Sequence, residues 1–155
     1  MSRSPAPPVR IAHAAPEDAA DWARMREALL PGEPDEHPRE IAAYFAGDPH
    51  GPAAVLVARD AAGDAVGFAE VGVRAYAEGC YSGRVAYLEA WYVEPRARRG
   101  GVGGALVRAC CEWARAQGFT EFASDALLEN TLSQAAHRAL GFEEVERIVC
   151  FRKDL

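Results

Sequence analysis

The stretch YLEAWYV, residues 87–93, sets a carboxylate, Glu89, inside a run of aromatic and aliphatic side chains. A strand of this composition belongs inside a sheet, where an unpaired charge is expensive. Three arrangements would resolve that cost. Glu89 can form a structural ion pair with an arginine. The alternation can break and let Glu89 reach solvent. Or Glu89 can face a polar cleft, bind a cationic substrate and accept a proton from it. Strict alternation would put Val85, Tyr87, Glu89, Trp91 and Val93 on one face.

A second chemical feature follows the strand. EPRARRGGVGGALV carries Arg98, Arg99, Gly100, Gly101, Gly103 and Gly104 into an amphipathic helix. Glycines let the backbone turn sharply and approach a ligand. A helix N-terminus adds free N–H groups and the positive end of the dipole, so the segment suits a phosphate. A nucleoside triphosphate loop would need Gly-Lys-Ser/Thr, and Gly104-Ala105-Leu106 stands here instead. A dinucleotide fingerprint would need an early βαβ unit, and this loop lies mid-chain. The bland alternative is a glycine-rich turn with surface arginines.

The elements that must position these residues are legible in outline. Val9–Ala12 reads as a strand and residues 16–30 as a helix, with Trp22, Met25 and Leu29 on one face. PGEPDEHP (31–38) reads as an acidic loop, and Ile41, Tyr44 and Phe45 suggest a short helix. Residues 54–60 and 66–74 form a strand pair across AAGDA, 75–83 a loop, and Val85–Val93 the next strand. A helix from about Val102 to Gln117 places Val102, Leu106, Ala109, Cys110 and Trp113 together. A strand over Phe119–Ser124 and a helix over Thr131–Leu140 follow, the latter with a Thr131/Gln134 capping box and a Gly141 stop. Glu143–Arg152 reads as a closing strand. The order implies an α+β chain with an antiparallel first half and βα units later.

The totals restrict the function classes. The chain has 155 residues, a net charge of −6 and half its residues hydrophobic. That fits one domain over residues 9–155 behind a disordered lead-in, 1–8. The acidic balance disfavours nucleic acid and anionic membranes and favours a cationic partner. No apolar run reaches the roughly 18 residues of a membrane span. MSRSPAPP lacks the apolar core of a secretory signal. Cys80, Cys110, Cys111 and Cys150 form no C-x-x-C pair, so a disulfide framework or a metal site is not expected and a reducing cytoplasm is.

The spacing Arg98-x-x-Gly101-x-Gly103 after Val93-Glu94-Pro95, with EFASD, Asn130 and SQAAHRALGF downstream, resembles the GCN5-related N-acetyltransferases (GNAT) over nearly the whole chain. The resemblance implies a mixed central sheet in which the strand before the loop bulges and splays from its parallel neighbour, acetyl-CoA lying in the gap. It implies a pyrophosphate on the Arg98, Arg99, Gly100, Gly101, Gly103, Gly104 loop and a pantetheine along Trp91, Tyr92 and Val93. Asn130 and His137 would complete that cofactor side. His137 stands where many members have Tyr, so it is a candidate acid for the leaving thiolate or a packing residue beside the pantetheine.

LEAWYVEP, ASDALLENTLSQAAHRALGFEEVER, PGEPDEHP and the Tyr76-x-x-Gly79-Cys80 loop are similar to the aminoglycoside 6′-N-acetyltransferases within that family. Carried over residue by residue, Glu89, Asp125 and Glu146 would surround the aminoglycoside, with Tyr76 beside it. Glu89 and Asp125 are the candidates for proton handling. Asp35 and Glu36 would add charge from the acidic loop. The resemblance also implies direct transfer without a metal, and a homodimer partly built by exchange of the C-terminal strand. Departures are Leu30, where relatives often have Trp, and Arg84, which would bring a positive charge to the cleft. Competing readings are transfer to a polyamine or a peptide N-terminus, and a non-catalytic acetyl-CoA sensor. The sensor gives no reason for the three carboxylates to converge.

Overall fold

The computed structural model describes residues 8–155. Apart from Pro8, the expected lead-in lies outside the described residues. The chain runs β1 (Arg10–His13), a 3-10 turn (Pro16–Asp18), α1 (Ala19–Leu29), α2 (Glu36–Phe45), β2 (Ala54–Arg59), β3 (Ala65–Arg74), β4 (Val85–Val93), a second 3-10 turn (Pro95–Ala97), α3 (Val102–Ala116), β5 (Phe122–Ser124) and α4 (Thr131–Ala139). The five strands form one sheet in the order β1-β2-β3-β4-β5. The first three pairings are antiparallel and the last, β4 with β5, is parallel. This is the expected mixed α+β sheet.

Each face of the sheet has its own core. On one side α3 lays Val102, Leu106, Val107 and Cys110 over Leu56, Val66, Val71 and Leu88. Of the residues expected on that helix face, Ala109 and Trp113 sit at the margin of the cluster. On the other side Trp22, Met25 and Ile41 from α1 and α2 pack over Val55, Val57 and Phe68. Burying one such large side chain stabilises the fold by about 1.5–3 kcal/mol. Leu29, expected beside Trp22, remains exposed.

A buried carboxylate ties α1 to the sheet. Glu70 on β3 is only 5 % exposed. It accepts the Trp22 indole N–H at 2.8 Å and pairs with Arg26 at 2.9 Å. Arg26 in turn reaches Glu40 of α2 at 2.7 Å. Burial pushes the Glu70 carboxyl above its ordinary pKa, against the opposing pull of Arg26. A carboxyl raised in the folded state favours folding most below its unfolded pKa, and that contribution fades as pH rises through the folded value.

Four expectations about local structure are corrected. Residues 143–152 form no strand; the tail is irregular and exposed, since no strand among the described residues pairs with it. α4 is capped by Asn130, whose side chain accepts the Ser133 N–H at 3.0 Å, while Gln134 turns back to the Leu127 and Leu128 carbonyls. The Thr131/Gln134 box is therefore not formed. α2 starts at Glu36, inside the segment expected to be loop, after Asp35 takes a left-handed φ of 63°. β5 begins at Phe122, because Phe119 instead stacks on Trp113.

Glu70→Ala is expected to cost about 3 kcal/mol, because it strands a buried indole N–H and leaves a mostly buried guanidinium with Glu40 as its remaining carboxylate. Urea unfolding at neutral pH measures this. Glu70→Gln, which keeps an acceptor, should lose less.

Candidate active site

The site is organised by one residue that the sheet leaves out. Glu70 of β3 pairs with Ala90 and Val71 with Leu88, so Glu89 has no cross-strand partner and β4 bulges there. A bulge shifts the alternation by one residue. Ahead of it, Ala86 and Leu88 face α3, whereas Val85 and Tyr87 join Ala77 on the opposite face. Beyond it, Trp91 and Val93 face α3, while Ala90 and Tyr92 face α1 and α2. The five residues expected on one face are therefore divided between two. Tyr87 and Glu89 stay on one side, and Trp91 and Val93 cross to the other.

The bulge brings Glu89 out over Gly72 of β3. A Cβ at Gly72 would lie 2.7 Å from Glu89 Oε1, so a side chain there would push the carboxylate from this position. Arg74, the last residue of β3, grips it as a fork: Nε donates to Oε1 at 2.9 Å and Nη2 to Oε2 at 2.7 Å. The Glu89 side chain is 34 % exposed and that of Arg74 41 %. Two of the three arrangements open for Glu89 thus occur together, a broken alternation and an arginine pair.

The same guanidinium lies 3.5 Å above the centre of the Tyr87 ring. The Tyr87 hydroxyl donates to Asp125 Oδ2 at 2.6 Å. Burial first, and Asp125 second, push the Tyr87 phenol well above its ordinary pKa, so it remains a donor. Glu89, Arg74, Tyr87 and Asp125 form one connected line across β3, β4 and the end of β5. Sequence reasoning did not single out Arg74 or Tyr87 for the site. The available signal was an arginine closing a strand whose hairpin partner carries the carboxylate.

Asp125 opens onto a cavity of about 520 Å³ between the end of β5, α4, the 77–80 loop and the tail. Tyr87, Glu78, Asp125, His137 and Glu146 line it. Arg138 and Arg147 also reach the rim, where both pair with Glu144; hydrogen bonds from Arg147 and then Arg138 hold its carboxyl down at about 2. The cavity thus gathers Asp125 and Glu146, and Tyr87 with Arg74 links them to Glu89. Tyr76 is exposed and lies outside the cavity lining, as do Asp35 and Glu36. Arg84 does not enter it either, because its guanidinium stacks on Phe119.

His137 is held at both ring nitrogens. Nδ1 lies 2.7 Å from the Ser133 carbonyl, which can only accept, so Nδ1 carries the proton. Nε2 lies 2.8 Å from Ser124 Oγ. In the neutral ring Nε2 accepts from that hydroxyl; in the charged ring it donates, and Ser124 turns its proton to the Leu88 carbonyl. The imidazole also packs edge-on against Trp91 and Phe142. Both chemical and packing readings of His137 are therefore compatible with its place. Asn130 spends its side-chain oxygen on the α4 cap.

The glycine loop lies at the far end of β4. Parallel pairing with β5 stops at Leu88–Ser124, so β4 from Ala90 to Val93 pairs only with β3 and its other edge is open. Arg98 Nε donates to the Val93 carbonyl at 2.8 Å and fastens the loop to the strand. Arg99 and Gly101 take left-handed φ values of 64° and 84°, and Gly101 caps α3. The first helical hydrogen bond runs from Ala105 to Gly101, leaving the preceding N–H groups without helical partners. A Cβ on Gly103 would stand 3.0 Å from Trp91 Cζ2, and the Trp91 N–H is buried without a partner. These features fit a diphosphate at the helix start and an extended chain along the open strand edge.

Comparison with known proteins agrees with that geometry. The acetyltransferase (GNAT) family matches residues 22–142. An aminoglycoside N(6′)-acetyltransferase type 1 of Klebsiella aerogenes is 55 % identical over 89 % of this chain and 91 % of its own. One of Stenotrophomonas maltophilia is 46 % identical over 94 % and 93 %. Among solved structures, AAC(6′)-Iy in complex with the bisubstrate analogue CoA-S-monomethyl-acetylneamine superposes with a TM-score of 0.86 at 36 % identity, covering 95 % of this chain and 99 % of that one. AAC(6′)-Ih from Acinetobacter baumannii gives a TM-score of 0.86 at 35 % identity, covering 96 % and 99 %.

Gly103→Val should push the Trp91 indole aside and crowd the start of α3. Calorimetry with acetyl-CoA is expected to show at least a tenfold loss of affinity; normal affinity would remove this loop from the binding site.

Proposed function

The chain belongs to the acetyltransferase (GNAT) family, and from that premise we propose that it transfers the acetyl group of acetyl-CoA to the 6′-amine of aminoglycosides, conferring resistance to them. The observation that carries this reading is the acidic cavity at Asp125 and Glu146, lined also by Ser124, the last β5 residue paired with β4. Aminoglycosides are small polycations. A single exposed ion pair contributes only about 0–1 kcal/mol, whereas several carboxylates around one cleft draw a polycation in and orient it.

Acetyl-CoA supplies the activated acyl group as a thioester. The N–H groups opening α3, with Arg98 and Arg99, are suited to hold its pyrophosphate, and Gly100, Gly101, Gly103 and Gly104 let the backbone approach. The free edge of β4 at Trp91, Tyr92 and Val93 is suited to the pantetheine and offers N–H groups to the acyl oxygen. Asn130 and His137 flank this groove from α4. Asp125 and Glu89 receive the substrate ammonium, and one of them takes its proton directly or through water, freeing the amine to attack. Glu146 and Tyr76 contribute to the outer substrate surface. His137, with one nitrogen on Ser124, is placed to return a proton to the leaving sulfur. The transfer is direct, through a ternary complex, and uses no metal.

We also assign a homodimer and a cytoplasmic setting. The outer edge of β5 pairs with no strand among the described residues, and the tail beside it exposes Val145, Ile148, Val149 and Phe151. A second copy exchanging tails would cover both. The four cysteines are free, and no helix among the described residues is long and apolar enough to cross a membrane.

The test is thiol release from acetyl-CoA with kanamycin, tobramycin, spermidine and a short peptide, the products mapped by mass spectrometry and NMR. Acetyl on the 6′-nitrogen is expected. Acetylation of spermidine or the peptide alone would keep the chemistry and overturn the substrate; acetyl-CoA binding without any turnover would support a sensor. Glu89→Gln should lower turnover about 100-fold while acetyl-CoA affinity stays within twofold. Phe151→Asp should shift the light-scattering mass toward the monomer.

A further inference from the structure

Resting on the aminoglycoside reading, we propose that Arg74 is a resident counter-ion of the catalytic cleft, a specificity-determining residue that a substrate ammonium must displace or overcome to reach Glu89. The fork of Arg74 uses both oxygens of Glu89, at 2.9 and 2.7 Å. Its guanidinium is held from below by the Tyr87 ring at 3.5 Å, and that ring is fixed by the hydroxyl on Asp125. So the cation sits between the two carboxylates assigned to proton handling. An ammonium arriving at Glu89 finds its oxygens taken and a like charge beside them. It either displaces the guanidinium or binds against its repulsion. In both cases Arg74 opposes binding.

The opposition is selective. The pair is partly exposed, so its hold is modest and reversible. A polycation places other ammonium groups on Asp125 and Glu146 while one contends with Arg74. A monoamine has to contend alone. The Tyr87 ring gives the displaced guanidinium a surface to slide on without breaking the sheet. The alternative for Arg74 is a purely structural clasp between β3 and β4. The two roles make opposite predictions for substrate affinity.

The experiment compares wild type, Arg74→Gln and Arg74→Lys, each also in a Glu89→Gln background, by calorimetry with tobramycin in the presence of CoA and by steady-state turnover. Arg74→Gln is expected to bind tobramycin about fivefold more tightly, with KM falling more than kcat changes. Its affinity should depend more steeply on salt, because one cleft cation has been removed. In the Glu89→Gln background the gain should shrink below twofold. Arg74→Lys, which can meet only one oxygen at a time, should fall between; it carries the test if melting curves show Arg74→Gln unfolded. Unchanged or weaker binding in the folded variants overturns the proposal and leaves Arg74 a clasp. If wild type acetylates no aminoglycoside, the substrate reading fails and this proposal falls with it; an active wild type with no tighter variant sinks the proposal alone.

Discussion

The site depends on one slip in register. β3 and β4 pair regularly except at Glu89, which is left unpaired between Leu88 and Ala90. That single extra residue has two consequences. It brings a carboxylate out of the sheet where regular pairing would have placed it against apolar neighbours. It also moves Trp91 and Val93 to the α3 side, where they help define the open edge of the strand. Substrate chemistry and cofactor groove therefore share one origin. Removing the bulge would reverse every side chain from Ala90 to Val93.

Two carboxylates lie in apolar strands, and the protein treats them in opposite ways. Glu70 is buried, receives an indole N–H and an arginine, and fastens two helices to the sheet. Glu89 is partly exposed, paired with an arginine at the sheet's margin, and connected through Tyr87 to Asp125. The difference follows from what lies across the strand. Glu70 meets α1, which can supply partners. Glu89 stands over Gly72, where no side chain fills the space. The low dielectric that makes Glu70 costly to disturb is absent around Glu89, whose partner can be exchanged.

Much of this was legible in the sequence. Apolar periodicity located the strands and helices, because burial and alternation are local in sequence. The glycine-arginine loop was legible because left-handed residues and a helix start leave a composition signature. Asp125 and Glu146 were reached by resemblance, and the cavity brings them together. The bulge was reached by resemblance alone: a one-residue slip depends on how β3 meets β4, and YLEAWYV alternates convincingly without it. Glu70 was overlooked although VGFAEVGVR shows the same pattern as YLEAWYV. Arg74 and Tyr87 acquire their roles only through cross-strand geometry. The terminal strand failed for a related reason, since a strand needs a partner and β5 offers its free edge to none of the described residues.

The most direct test is a crystal structure of the protein with CoA and tobramycin bound together. The account requires the 6′-nitrogen within hydrogen-bonding distance of Asp125 or Glu89, beside the open edge of β4, with the pyrophosphate on the N–H groups that begin α3. A 6′-nitrogen seated against the α1–α2 segment, with Asp125 and Glu89 far from any amine of the drug, would contradict it.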